Sequence, residues 1–332
     1  MELTRRNFLK TCAAAGVAVT TASCLPGMHL AEAAGKDGGK MKYPENMQVP
    51  YSTGRDVPTI VMPKDACDTH HHIYDPVHFP YLPTDKRNQP PATVEIYRML
   101  QHRLGLTRNV IIQPSAYGTD NSCILAAARE MGKKTTRAVV VVDPKISDHE
   151  LETMAEQGAC GIRYNVSRGA KLESAVLKRM ADRIRGLGWN IQFWMPADMT
   201  VEFADTLKML PVPLVFDHRG HLPQTQGTAH PAFQVITELM RDGRGWVKLS
   251  GLYQDSNGEN NYADTVAVGQ AYVAAEPSRV IWGTDWPHPS EFSAKKDMPN
   301  DAQLLNLLAA QAQDEQMRHR ILVENPAELY HF

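Results

Sequence analysis

Two histidines on the same side of a short run, His70 and His72, stand in Asp68-Thr69-His70-His71-His72. Two further polar runs follow, Asp217-His218-Arg219-Gly220-His221 and Gly283-Thr284-Asp285-Trp286-Pro287-His288. Three imidazoles and a carboxylate have two chemical uses. With Asp285 ionised as a general base and His70, His72 and His218 around a carbonyl oxygen, they activate water against an ester. As N and O donors, the same four side chains can hold one Zn²⁺ with an open position. Arg163 and Arg168 supply guanidinium groups for a substrate carboxylate, and Ser115 and Tyr117 supply hydroxyl donors to the same group.

These residues need a scaffold that gathers distant parts of the chain. Eight short apolar runs are available: 66–72, 109–115, 137–143, 159–165, 190–195, 213–218, 246–250 and 280–285. They are β-branched or aromatic and nearly continuous in apolar character, as strands covered on both faces are. Helix-length stretches separate them, for instance 93–104, 121–131, 172–185, 231–241 and 262–275. Eight such βα units describe a single-domain (β/α)8 TIM barrel over residues 63–332, with a helical segment from Asp301 closing its floor. Active sites of this fold lie at the carboxyl ends of the strands, where the polar residues above fall. In a strand, residues two apart share a face, so His70 and His72 point into the mouth together and His71 away from it.

Each residue also has a plainer use. A single buried histidine is more often a hydrogen-bonded core group than a ligand. Asp68 and Asp217 can orient neighbours or cap the next helix, Asp120 can cap the helix after it, and Trp286-Pro287 can shape the last loop. His71 and His221 read as surface or supporting groups. The plain use fails for His70, His72, His218 and Asp285 taken together. Burying them side by side costs several kcal/mol unless they are paired or put to work.

The His-x-His of strand one, the Asp-His-x-Gly of strand six and Trp282-Gly283-Thr284-Asp285-Trp286-Pro287-His288 on strand eight resemble the amidohydrolase superfamily. More narrowly, Gln113-Pro114-Ser115-Ala116-Tyr117-Gly118-Thr119-Asp120-Asn121 and Gly161-Ile162-Arg163-Tyr164-Asn165 are similar to its lactonase branch, which includes pyrone-dicarboxylate lactonases and galactarolactone isomerases. The resemblance covers Pro63 to the C-terminus. It implies a hydrolase that opens a small carboxylated lactone. Metal-dependent members use His-x-His, a strand-five His, a strand-six His and the strand-eight Asp. Here Gln192 occupies the strand-five position, and strand four carries Arg163 in place of a bridging lysine. By ligand count the expectation is no cofactor, with one zinc ion held by His70, His72, His218 and Asp285 as the alternative. Strand seven, ending Gly251-Leu252-Tyr253, contributes no further cation in this reading. The isomerase branch resembles a barrel with Asn at the strand-eight carboxylate and without the first strand-one His. Asp285 and His70 are both here, so hydrolysis is expected over isomerisation. A zinc-dependent hydrolase or decarboxylase and an idle periplasmic binding protein are the competing readings.

The N-terminus carries its own signal. Thr4-Arg5-Arg6-Asn7-Phe8-Leu9-Lys10, an apolar stretch from Cys12 to Leu25 and Ala31-Glu32-Ala33 follow the order of a twin-arginine export signal over residues 1–33. The apolar stretch is too short and too rich in Ala, Thr and Gly for a membrane span of ~20 residues. Residues 34–62 read as an extended leader, and the expected location is the periplasm, reached through the twin-arginine machinery. With a net charge of −2 and no basic run, nucleic acid is not an expected partner. Beyond the signal lie Cys67, Cys123 and Cys160, an odd number, read as buried thiols and not a disulfide framework.

Overall fold

A computed structural model of the chain describes residues 35–37, 40–44, 47–87, 89–168 and 171–332, without the side chains of residues 35–37, 40–42, 168 and 259–261. The expected export signal at 1–33 lies outside the described residues. Two compact units divide after Pro44. In the first, Gly35–Asp37 and Lys40–Lys42 pair antiparallel, so part of the expected leader is a small hairpin. The second, from Glu45, contains the barrel, so the end of the expected leader belongs to the same compact unit as the barrel strands. Val49 and Ser52 are buried in it, and Thr59 N–H donates to Asn306 at 2.7 Å. No helix among the described residues is long and apolar enough to cross a membrane.

Eight strands run parallel in sequence order: β1 Cys67–His71, β2 Arg108–Ile112, β3 Thr136–Val140, β4 Ala159–Asn165, β5 Asn190–Trp194, β6 Leu214–Phe216, β7 Gly245–Leu249 and β8 Val280–Trp282. Helices of the expected type lie between them, among them α1 Val94–Leu104, α2 Ser122–Met131 and α3 Asp148–Glu156. Local chemistry sets their ends. Ser147 and Glu150 form a capping box that starts α3, and Gly105 in the left-handed region (φ 71°) stops α1.

Strand pairing runs unbroken from β8 to β1, and the seam between these two closes at their carboxyl ends. Asp285 N–H donates to the His70 carbonyl at 2.7 Å, and His72 N–H to the Trp286 carbonyl at 2.8 Å. The Asp68 carboxylate staples the same seam. It accepts from Thr284 N–H (3.0 Å), the Thr284 hydroxyl (2.7 Å), His70 N–H (3.0 Å) and the Tyr97 hydroxyl (3.0 Å). Gly283 is required here, because a Cβ would lie 2.7 Å from His70. The opposite end is filled from the tail. Leu329 and Tyr330 join Cys67, Val110, Ile112, Val139, Cys160, Val215, Trp246 and Ile281 in one apolar cluster, as a floor formed by the C-terminal segment requires. Cys67, Cys123 and Cys160 are buried and unpaired.

Candidate active site

Closure of the seam sets His70 and His72 beside Asp285. Oδ1 of Asp285 lies 3.5 Å from Nε2 of His70 and 3.3 Å from Nε2 of His72, and Oδ2 lies 4.0 Å from Nε2 of His218. All four side chains are buried. His72, His218 and Asp285 line a cavity together with Ser115, Arg163, Asn165, Trp194, Gln254 and Arg87, and His70 is fully buried beside them. Asp285 and His218 adopt left-handed backbone angles, φ 62° and 49°, as do Arg219 and His288 nearby. Such conformations cost about 1–3 kcal/mol each for residues with a Cβ, and they gather where geometry serves chemistry.

The far nitrogen of each ring is already engaged. Nδ1 of His72 donates to the Ile112 carbonyl at 2.9 Å, which turns Nε2 toward Asp285. Nδ1 of His218 meets the Ser250 hydroxyl at 2.9 Å, and Gly251 is required behind it, because a Cβ there would lie 2.5 Å from that nitrogen. Nδ1 of His70 sits between Asp217 Oδ1 at 3.2 Å and Lys248 Nζ at 3.1 Å. Nε2 of His70 is buried with no hydrogen-bond partner.

Charge is arranged in two layers. In the upper one, burial alone would raise the Asp285 carboxyl, but the imidazoles of His218, His72 and His70 outweigh it and hold it well below the usual carboxylate range. Burial pushes His218 down to about 4 and His70 well below the ordinary histidine value. In the lower layer, Asp217 pairs with Arg163 Nε at 2.9 Å and Lys248 Nζ at 3.1 Å. These two cations and His70 hold Asp217 well below its usual range against the opposing effect of burial. Burial lowers the Lys248 ammonium, and Gln192 accepts from it at 2.6 Å.

Sequence reasoning therefore finds the imidazole and carboxylate set, together with Ser115 and Arg163 at the cavity. The structure gives other neighbours to three residues. The Tyr117 hydroxyl accepts from Asp75 N–H at 2.9 Å, in a loop wall. His71 is fully buried, not at the surface, stacked on Tyr97 at 3.5 Å with Nε2 3.0 Å from Asn109 Oδ1. Asp217 orients its neighbours instead of capping. Arg168, a predicted carboxylate clamp, lies outside the described side chains. Strand seven does contribute a cation, contrary to expectation. Lys248 shares the inner face with Trp246 two residues earlier, and a lysine inside so apolar a strand was itself the signal. Tyr253 and Gln254 were also missed. They donate to Asp285 Oδ2 at 2.6 and 2.7 Å from a loop whose contacts no periodicity encodes.

Comparison with known proteins agrees with this geometry. Residues 67–332 match the family model described as Amidohydrolase. The chain is 36% identical over 274 residues to the 4-sulfomuconolactone hydrolase of Hydrogenophaga intermedia, covering 81% of this chain and 90% of that one. It is 34% identical over 286 residues to the 2-pyrone-4,6-dicarboxylate hydrolase of Comamonas testosteroni, covering 82% and 92%. A crystal structure of an Agrobacterium tumefaciens protein superposes with a TM-score of 0.74 at 31% identity, over 83% of this chain and 98% of that one. With a family model matched over most of its length and relatives above 30% identity, the chain belongs to the amidohydrolase family.

Proposed function

We propose that this protein is a carboxylic-ester hydrolase that opens a small carboxylated lactone, with Asp285 as the base that takes a proton from the attacking water. One observation carries the reading: an ionised, buried carboxylate whose Oδ1 lies within 3.5 Å of two imidazole nitrogens at the inner end of the cavity. The names of the two relatives above, both lactone hydrolases at more than 30% identity, support the same class of substrate.

Each residue then has a task. Water between Asp285 and the lactone carbonyl loses its proton to the carboxylate as its oxygen bonds to the carbonyl carbon. Negative charge gathers on the former carbonyl oxygen, which the imidazoles of His70, His72 and His218 surround. When the ring C–O bond breaks, the ring oxygen takes the proton from Asp285 and the carboxylate is free again. Arg163 keeps Nε on Asp217 and turns its outer nitrogens to a substrate carboxylate, with Ser115 on the same wall.

The donor set also fits one divalent cation. Ligand atoms of His70, His218 and Asp285 lie within 4.8 Å of one another, and Nε2 of His70 is buried without a hydrogen-bond partner. Counting ligands in the sequence favoured a site without metal; the convergence of these atoms favours one. The positive charge of Arg163 beside the site is offset by its pairing with Asp217. Held by His70, His218 and Asp285 with His72 beside them, such an ion would polarise the carbonyl as a Lewis acid.

Screening a panel of lactones with a pH indicator tests the function. Acid release with at least one lactone carrying a carboxylate is the expected result. Tight binding across the panel with no turnover would instead identify a binding protein. The Thr4–Lys10 segment supports a periplasmic location. Replacing Arg5 and Arg6 by Lys should hold the protein in the cytoplasm, and an unchanged periplasmic fraction would remove this part of the reading.

A further inference from the structure

The connection from β8 to the helix Asp301–Gln311 carries Asp285 near its start. Both ends of this connection are held by one short segment, residues 50–56, which precedes β1. At the near end, the Pro50 carbonyl accepts from the Trp286 indole N–H at 3.0 Å, one residue beyond Asp285. The Tyr51 ring lies 6.0 Å from that of Trp286 and 5.4 Å from that of Phe292. At the far end, Thr53 donates its N–H to the Pro299 carbonyl and its hydroxyl to the Met298 carbonyl, each at 2.9 Å. The Asn300 amide donates to Asp56 at 2.6 Å, and its oxygen caps the helix by accepting from Ala302 N–H at 3.0 Å.

Within this segment Ser52 stands at the head of a line of contacts that ends on Asp285. Its hydroxyl oxygen accepts from Asp301 N–H at 3.2 Å and from the Arg103 guanidinium. Arg103, in the last turn of α1, also donates to the Gly54 carbonyl at 3.1 Å, so the segment is clamped against that helix. Asp301, held in this way, places its carboxylate 3.2 Å from Nε2 of His288. Nδ1 of the same ring lies 3.0 Å from the Tyr253 hydroxyl, which donates to Asp285 Oδ2 at 2.6 Å. Ser52, Asp301, His288, Tyr253 and Asp285 are all buried. In a close-packed interior a displacement at one such group is passed to the next, because no free space absorbs it.

From this line we infer that Ser52 is a positioning residue for Asp285, acting through Asp301, His288 and Tyr253. Ser52 fixes where Asp301 sets its carboxylate, and so the plane of the His288 ring and the direction from which Tyr253 meets Oδ2. A segment that composition alone marks as a leader thereby belongs to the catalytic apparatus. The inference rests on the reading of Asp285 as the base of lactone opening, and it adds a residue that holds the base from outside the strands.

Nuclear magnetic resonance of protein labelled with ¹⁵N-histidine reads the line without turnover. The ring signals of His288, identified by their loss in H288Q, should move in S52A. They should stay in place in N306A, which removes the acceptor of Thr59 N–H at the far end of the same stretch. In kinetics, S52A should lower kcat by about 3- to 10-fold with KM little changed, the scale of one hydrogen bond. S52T, which keeps the hydroxyl, should recover kcat, and N306A should leave it as it is. In a Y253F background S52A should cost nothing further, because its route to Asp285 is already cut. If S52A fails to fold, H288Q takes its place in this cycle, and its loss must likewise vanish in Y253F. Unmoved His288 signals, equal movement in N306A, a normal kcat or a loss that persists in Y253F overturns the inference. His288 signals that move in a protein opening no lactone would keep the hold of Ser52 on His288 and reject the lactonase reading.

Discussion

The Tyr253 hydroxyl donates to Oδ2 of Asp285 at 2.6 Å, so this carboxylate oxygen is engaged by the loop after β7 and Oδ1 is the one turned to His70 and His72. Gln254 donates to the same oxygen at 2.7 Å. Tyr253 is fixed in turn by Nδ1 of His288 at 3.0 Å, whose Nε2 lies 3.2 Å from Asp301. Asp285, the proposed base, is thus oriented by a chain of buried groups.

That orientation has a measurable worth. A hydrogen bond to a charged group contributes about 1.5–3 kcal/mol, so Y253F should lower kcat by roughly 10- to 100-fold while KM changes little. Kinetics of Y253F at saturating lactone check this. Unchanged kcat would show that Gln254 alone suffices.

Metal uptake follows from the convergence of ring nitrogens. Protein stripped with a chelator and returned to Zn²⁺ should take up about one ion per chain, and H218A should bind it far more weakly. Elemental analysis after gel filtration reads the ratio. A ratio near zero in the unaltered chain contradicts the fit and leaves the imidazoles to face the carbonyl oxygen unaided.

His71 makes stability depend on pH. Burial keeps its ring neutral down to about 3 in the folded state, whereas the unfolded chain protonates near 6.5. Its contribution is fully present above pH 6.5 and is lost as the pH falls from 6.5 toward 3, since only the unfolded chain takes up the proton. At about 1.4 kcal/mol per pH unit, roughly 2 kcal/mol is lost by pH 5. Urea unfolding of the intact protein and of H71Q at pH 7.5 and 5 isolates the effect. Burial raises Asp68 to about 6 and acts in the opposite direction, but it does so in both proteins. Parallel losses in the two would contradict the assignment.

Much of this architecture was legible in the residues, for a physical reason. Continuous apolar runs such as Val110-Ile111-Ile112 mark strands covered on both faces, and strand polarity then fixes which end carries chemistry. His70, His72, His218 and Asp285 were readable because imidazole and carboxylate groups at strand ends have few structural uses. Arg87 and Tyr253 were not, because they sit on long connections whose path is set by contacts such as Leu82 with Ala116 and not by periodicity. The packing of residues 49–59 on the barrel was hidden for the same reason. Pro, Thr and Asp in that stretch suggest a loose leader, yet Val49 and Ser52 are buried and the Pro50 carbonyl accepts from the Trp286 indole at 3.0 Å.

D285N is the most direct test. It keeps the size and hydrogen-bonding reach of the side chain and removes its ability to accept a proton from water. With any lactone that the intact protein opens, kcat should fall by ~10²–10⁴ while Tm stays close to that of the intact protein. Turnover within a few-fold of normal would contradict the assignment of Asp285 as the base.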